Sequence, residues 1–177
     1  MRLFVALELP HATRQRLADL ATALPGARWV PPENFHITLR FIGEVPRHVA
    51  EELDLALAAL RARHFSVTLA GVGTAERAGR ARTLWACVER NAALDALRGK
   101  IERALQGVGL APERRRFVPH VTLARLGQTA ELRLAEWVQA HNLFRTEPIE
   151  MGHFTLFSSL LGHEQAVYTP EVEYALD

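Results

Sequence analysis

The chain carries one short pattern twice, and this repetition restricts its fold more than any other feature. Phe35-His36-Ile37-Thr38-Leu39 in the first half is matched by Pro119-His120-Val121-Thr122-Leu123 in the second, with Gly43 and Gly127 each seven residues past the histidine. Each block is a run of apolar and β-branched residues of strand length. On a strand, residues two apart share a face and lie about 6.6 Å apart. His36 and Thr38 therefore point one way, as do His120 and Thr122, while Ile37, Leu39, Val121 and Leu123 point into a core. Two copies of such a strand imply two related lobes with the polar faces of the repeats turned to one cleft.

The rest of the pattern fits a mixed α and β chain. Strands are expected over Arg2 to Leu9, Trp29-Val30, Phe35 to Ile42, Phe65 to Leu69, Thr83 to Val88, Phe117 to Leu126, Ile149 to Phe157 and Ala166 to Leu176. Helices are expected over His11 to Leu24 and Pro46 to Arg61, then from an Asn91 cap to Gly107 and Gly109, and around Ala130 to His141. The Gly- and Arg-containing stretch Ala75 to Arg82 reads as a loop. No linker-like segment divides residues 1–177, so one domain of two pseudo-symmetric lobes is expected.

Composition excludes several classes of function. A net charge of +1 gives no overall field to hold nucleic acid, so any such contact must be local. A single cysteine, Cys87, excludes an internal disulfide and a Cys-pair zinc site, and it fits a reducing, cytoplasmic setting. The apolar start Leu3 to Leu7 is too short for a secretory core, and no run is long enough to span a bilayer. No His-Glu-x-x-His helix is present, so metal and cofactor are both expected to be absent.

Two histidines on facing strands can serve as general base and general acid in one step at neutral pH. The threonine hydroxyls between them can donate to non-bridging oxygens. This arrangement suits in-line displacement at phosphorus, with one group taking a proton from the nucleophile and another giving one to the leaving oxygen. A bell-shaped pH dependence with both limbs in the histidine range follows. A binding module for nucleotides or RNA ends would keep the cleft without needing two titratable groups. A third match, His153-Phe154-Thr155-Leu156, has Leu160 where the glycine would stand and reads as structural or rim.

The chain resembles the two-histidine (2H) phosphoesterases, in the branch of RNA 2',3'-cyclic phosphodiesterases and 2'-5' RNA ligases. The likeness lies in Arg2-Leu3-Phe4-Val5-Ala6, in Asn34 to Gly43, in Pro119 to Arg125, and in Phe154 to Ser159 with Tyr168. It implies a bilobal α+β fold in which two antiparallel sheets line a central cleft, with helices on the outside. It implies His36 as proton donor, His120 as proton acceptor, and phosphate contacts from Thr38, Thr122 and Arg125. The implied partner is RNA ending in a 2',3'-cyclic phosphate, tRNA fragments among the candidates. A monomer acting without metal or membrane is expected. The implied product is a 2'-phosphomonoester, with reversible 2'-5' ligation as a second activity.

Overall fold

A computed structural model describes residues 1–177. Its elements are β1 (Arg2–Glu8), α1 (His11–Ala18), β2 (Ala27–Trp29), β3 (His36–Glu44), α2 (Arg47–Ala58), β4 (Phe65–Val67), β5 (Leu69–Arg77), β6 (Arg80–Val88), α3 (Ala92–Val108), β7 (His120–Leu126), α4 (Glu131–His141), β8 (Ile149–Met151), β9 (His153–Leu161) and β10 (Ala166–Ala175). The large sheet runs β10-β9-β1-β3-β7-β6-β5, with β2 added on β7, and β4 pairs β8 separately.

All these pairings are antiparallel, and the large sheet has two halves. Within each half the strands pair over several residues, but β3 meets β7 through Ile37 and Val121 alone. The two copies of the motif thus form the seam. Ile37 and Val121 are fully buried there and belong to a core with Leu3, Leu39, Leu84, Leu123 and the inward side of α3. Contacts place α2 against β10, α3 against β3, and α4 against β5. No helix is long and apolar enough to cross a membrane.

Five local expectations change. The strand expected over Phe65 to Leu69 divides at Thr68 between β4 and β5, which join different sheets. The first helix stops at Ala18, and Leu20 and Leu24 reach the core from the turns and coil that follow. Residues Ala75 to Arg82 are not a loop: they are the tip of a hairpin whose two-residue turn, Ala78 and Gly79, has φ of 54° and 76°. Positive φ at both central positions gives a turn whose twist matches the strands, so a chain with Gly at the second position can continue pairing to its end. The strand expected from Phe117 begins at His120, because the preceding residues form an approach loop. The strand expected over Ile149 to Phe157 divides at Gly152 into β8 and β9, which join different sheets.

The helix expected after Asn91 forms as read. The Asn91 side chain accepts the Leu94 amide at 3.0 Å, and Gly109 closes the far end at φ 112°. Its buried Leu94, Leu97, Ile101 and Leu105 lie on one face, together with Glu102. Glu102 accepts two hydrogen bonds from Arg40 of β3, at 2.7 and 3.2 Å, and the Glu113 amide at 2.9 Å. Arg40 also donates to the carbonyls of Phe41 and Ala111. This buried pair ties α3 and the root of the loop before β7 to the first motif strand.

Candidate active site

Antiparallel pairing at Ile37–Val121 sets His36 diagonally across from His120, and each histidine faces the other motif's threonine if the register is extended. Such diagonal neighbours lie about 7–8 Å apart. Because the seam residues point inward, the two histidines and two threonines share the opposite face, and all four are half-buried.

The same irregularity follows each motif. On β3, Thr38 pairs with Ala6 and Arg40 with Val5, leaving Leu39 unpaired as a β-bulge. On β7, Thr122 pairs with Trp85 and Ala124 with Leu84, leaving Leu123 unpaired. A bulge puts two successive residues on one side. Leu39 and Arg40 are both buried, as are Leu123 and Ala124, and the next residues, Phe41 and Arg125, return to the polar face and are exposed. Strict alternation from His120 would have turned Arg125 inward. Arg125 joins Arg2, Arg115, Phe41 and Tyr168 around one pocket.

Hydrogen bonds fix the tautomers. His36 Nδ1 donates to the Asn34 carbonyl at 2.7 Å, so in the neutral ring Nε2 is bare and accepts the Thr38 hydroxyl at 2.9 Å. His120 Nδ1 donates to the Val118 carbonyl at 2.6 Å, which leaves its Nε2 as an available base. In both motifs the carbonyl lies two residues before the histidine, so the approach to each strand orients its ring.

Both rings are held neutral below their usual range. Burial, opposed by the Asn34 carbonyl but reinforced by the charges of His120 and Arg14, pushes His36 down to about 4. Burial and the charge of Arg125 lower His120, against the pull of the Val118 carbonyl. Their surroundings differ. His36 lies among Phe4, Tyr168 and Phe157, with centroids at 5.1, 5.3 and 6.3 Å, whereas His120 is stacked on Trp85 at 3.9 Å.

Pockets open on each side of the histidines. One beside His120 is lined by Thr38, Trp85, Arg98, Arg115, Arg116 and Phe117. Another beside His36 holds Arg14, Glu8, Glu33 and Tyr168. Arg114, Arg115 and Arg116 are all exposed on the loop rooted by Glu102, whereas Arg77 and Arg80 end the β5–β6 hairpin. Phe35 is core, and Trp29 packs on Trp137 at 5.8 Å.

His153 lies on β9 beside β1, where its Nε2 is 2.8 Å from Glu8 and the Thr155 hydroxyl donates to the same carboxylate oxygen at 2.9 Å. Burial raises the Glu8 carboxyl, but these bonds outweigh it and hold the group low. Glu8, His153 and Glu173 have potential ligand atoms within 4.8 Å of one another, although the third motif spends its imidazole and hydroxyl on Glu8. No role follows from the sequence for Trp85 or Glu8, and Phe4 stands out there only as part of the stretch that carries the family resemblance. The signal for Trp85 was a tryptophan within an expected strand beside a histidine strand, which means nothing until the register is known.

A family model described as LigT like Phosphoesterase matches residues 7–85 and 88–168, taking in both motifs. The chain belongs to the LigT-like phosphoesterases. Among these phosphoesterases, an RNA 2',3'-cyclic phosphodiesterase of Aeropyrum pernix is 38% identical over 141 residues, covering 78% of this chain and 80% of that protein. One from Archaeoglobus fulgidus is 27% identical over 171 residues and covers 95% and 96%. The crystal structure of E. coli LigT complexed with 3'-AMP superposes with a TM-score of 0.80 at 26% identity over 99% of this chain and 97% of that one. As a LigT-like phosphoesterase the chain is a hydrolase of phosphodiester bonds, with the α+β architecture of antiparallel sheets and four helices.

Proposed function

We propose that this phosphoesterase opens a 2',3'-cyclic phosphate at an RNA end to a 2'-phosphomonoester, with His120 as base and His36 as acid. The observation that carries this reading is the antiparallel crossing of two His-x-Thr strands at Ile37–Val121, which offers two imidazoles to one phosphate from opposite corners. The activity of the named relatives and the basic pocket beside His120 support RNA as the substrate.

Water on the His120 side loses a proton to Nε2 as its oxygen bonds to phosphorus. The bond from phosphorus to the 3' oxygen breaks, and His36 Nε2 supplies that oxygen's proton. Thr38, Thr122 and Arg125 hold the non-bridging oxygens, where charge accumulates. Substrate prepares the acid. In the empty site His36 is neutral and its Nε2 accepts from Thr38, but an anionic phosphate stabilises the imidazolium and draws the Thr38 hydroxyl to itself. After turnover His36 is neutral and His120 protonated, and exchange with solvent resets both. A 5'-hydroxyl in place of water gives a 2'-5' linkage by the same transfers.

The test is incubation in excess EDTA with a short RNA ending in a 2',3'-cyclic phosphate, followed by identification of the monoester. A 2'-phosphate is expected. A 3'-phosphate would reassign the leaving oxygen, loss of activity to EDTA alone would point to a metal, and no product would favour binding without turnover.

A further inference from the structure

The shared register gives the motifs equivalent neighbours, and one pair of neighbours is unlike. Thr38 pairs with Ala6 across β1, whereas Thr122 pairs with Trp85 across β6. A methyl group stands in one lobe where an indole stands in the other. The indole lies on the His120 ring, with centroids 3.9 Å apart and planes 29° from parallel.

Its neighbours hold it there. Gly73 pairs with Trp85 on the β5 side, and a Cβ at Gly73 would lie 3.0 Å from the indole Nε1 and 3.5 Å from Cδ1. Gly73 is not in the left-handed region, so the absence of a side chain makes room without serving a turn. Cys87, paired with His120, borders the same gap, its Sγ 3.4 Å from where that Cβ would stand. His120 is then fixed at its Nδ1 edge by the Val118 carbonyl and across one face by the indole, leaving Nε2 free.

We propose that Trp85 is a positioning residue for the base: its π face aligns the His120 ring and stabilises the imidazolium that forms when His120 takes the proton. This rests on the assignment of His120 as the group that deprotonates water. An aromatic face attracts a cation more than a neutral ring, and the attraction grows where water is excluded. Arg125 opposes a positive charge on His120, so the indole offsets an unfavourable neighbour. His36 ends the step neutral and has no such partner: its aromatic neighbours are tilted or edge-on at 5.1 Å or more.

Trp85→Leu, Trp85→Phe and Gly73→Val separate the π face from simple cover. Kinetics with a mononucleoside 2',3'-cyclic phosphate would be combined with an NMR titration of His120. Trp85→Leu is expected to lower kcat about tenfold with KM within about twofold, and to lower the His120 pKa by about half a unit to one unit. Trp85→Phe should recover most of both. Gly73→Val should reproduce Trp85→Leu, because its side chain displaces the indole while leaving both rings in the sequence. Equal behaviour of the Leu and Phe variants, or a His120 pKa that rises in Trp85→Leu, would overturn the assignment. A wild type without turnover would remove the functional reading and, with it, the catalytic half of this one. A normal wild-type rate unchanged by Trp85→Leu would overturn the Trp85 assignment alone.

Discussion

The two motif strands share a backbone but not an environment. β3 and β7 have the same order of half-buried, buried and exposed positions through the sixth residue, the same bulge after the threonine, and the same carbonyl two residues before the histidine. Yet His36 sits in an aromatic cluster with its Nε2 engaged by Thr38, and His120 lies against an indole with its Nε2 available. Backbone symmetry can place two identical groups about one phosphate, but distinct acid and base roles require that their environments differ. The asymmetry therefore resides in the surroundings of the motifs: Phe4, Phe157 and Tyr168 from β1, β9 and β10 around His36, and Trp85 of β6 beside His120.

The largest expected effect comes from deleting either member of the pair. His36→Ala and His120→Ala should each lower kcat by about 10²–10⁴-fold, with melting temperature and circular dichroism near wild type. The double variant should be little worse than either single one, since the two groups act in one step. A single variant that keeps most of its rate would break the pairing of roles across the seam.

Next in size is an effect confined to the β3 side. Glu102→Ala removes the carboxylate that holds Arg40 and the Glu113 amide, leaving a buried guanidinium without its partner. β7 has Ala124 at the place of Arg40 and needs no such partner. A loss of about 3–5 kcal/mol in urea unfolding is expected at pH 7. Burial raises the Glu102 carboxyl, but the bonds from Arg40, Glu113 and Gln106 outweigh it and hold the group at about 2, against an ordinary 4.5. A carboxylate depressed in this way stabilises the fold above pH 4.5 and loses that contribution as pH falls towards 2. The gap between wild type and Glu102→Gln should accordingly narrow from pH 5 to pH 3. A constant gap would mean that packing, not charge, carries the contribution.

The motif strands were legible because their signals are local: alternation, β-branched residues and two copies of one spacing. The Asn91 cap and the buried face of α3 were legible for the same reason. What could not be read depends on register. Trp85 becomes a neighbour of His120 only through β6–β7 pairing, Glu8 is placed beside His153 by β1–β9, and the Arg40–Glu102 pair spans a strand and a helix. The bulges were equally hidden, so strand parity alone gave no reason for Arg125 to face the cleft. Residues Ala75 to Arg82 have the arginine and glycine density of irregular chain, but Ala78-Gly79 is a hairpin turn and the strands pair up to it.

The pH profiles give a smaller effect, with both limbs expected below ordinary histidine values. In kcat/KM, which reports the free enzyme, the acid limb should lie near His36 at about 4 and the alkaline limb below 6.5, where His120 is held. The reactive form has His36 protonated and His120 neutral, a minor share of the singly protonated enzyme. In kcat the alkaline limb should move upward, because bound phosphate favours the imidazolium of His36. Coincident profiles with a kcat/KM alkaline limb at pH 7 or above would show that the empty site does not depress the pair.

The smallest effect tests the glycines that completed the repeat in sequence. Gly43 and Gly127 hold the same offset from their histidines, but their backbones differ. Gly43 has φ 88° at the end of β3, and a Cβ there would meet nothing within 4 Å, so Gly43→Ala should cost about 1–2 kcal/mol through the left-handed backbone alone. Gly127 has no left-handed φ; its amide donates to the Gly26 carbonyl at 3.0 Å, and a Cβ would lie 3.4 Å from that oxygen. Gly127→Ala should therefore stay within about 0.5 kcal/mol of wild type in urea unfolding. Equal losses would mean that both glycines answer one backbone demand. Unequal losses would confine the structural repeat to the stretch from histidine through bulge, with the matching glycines serving separate local needs.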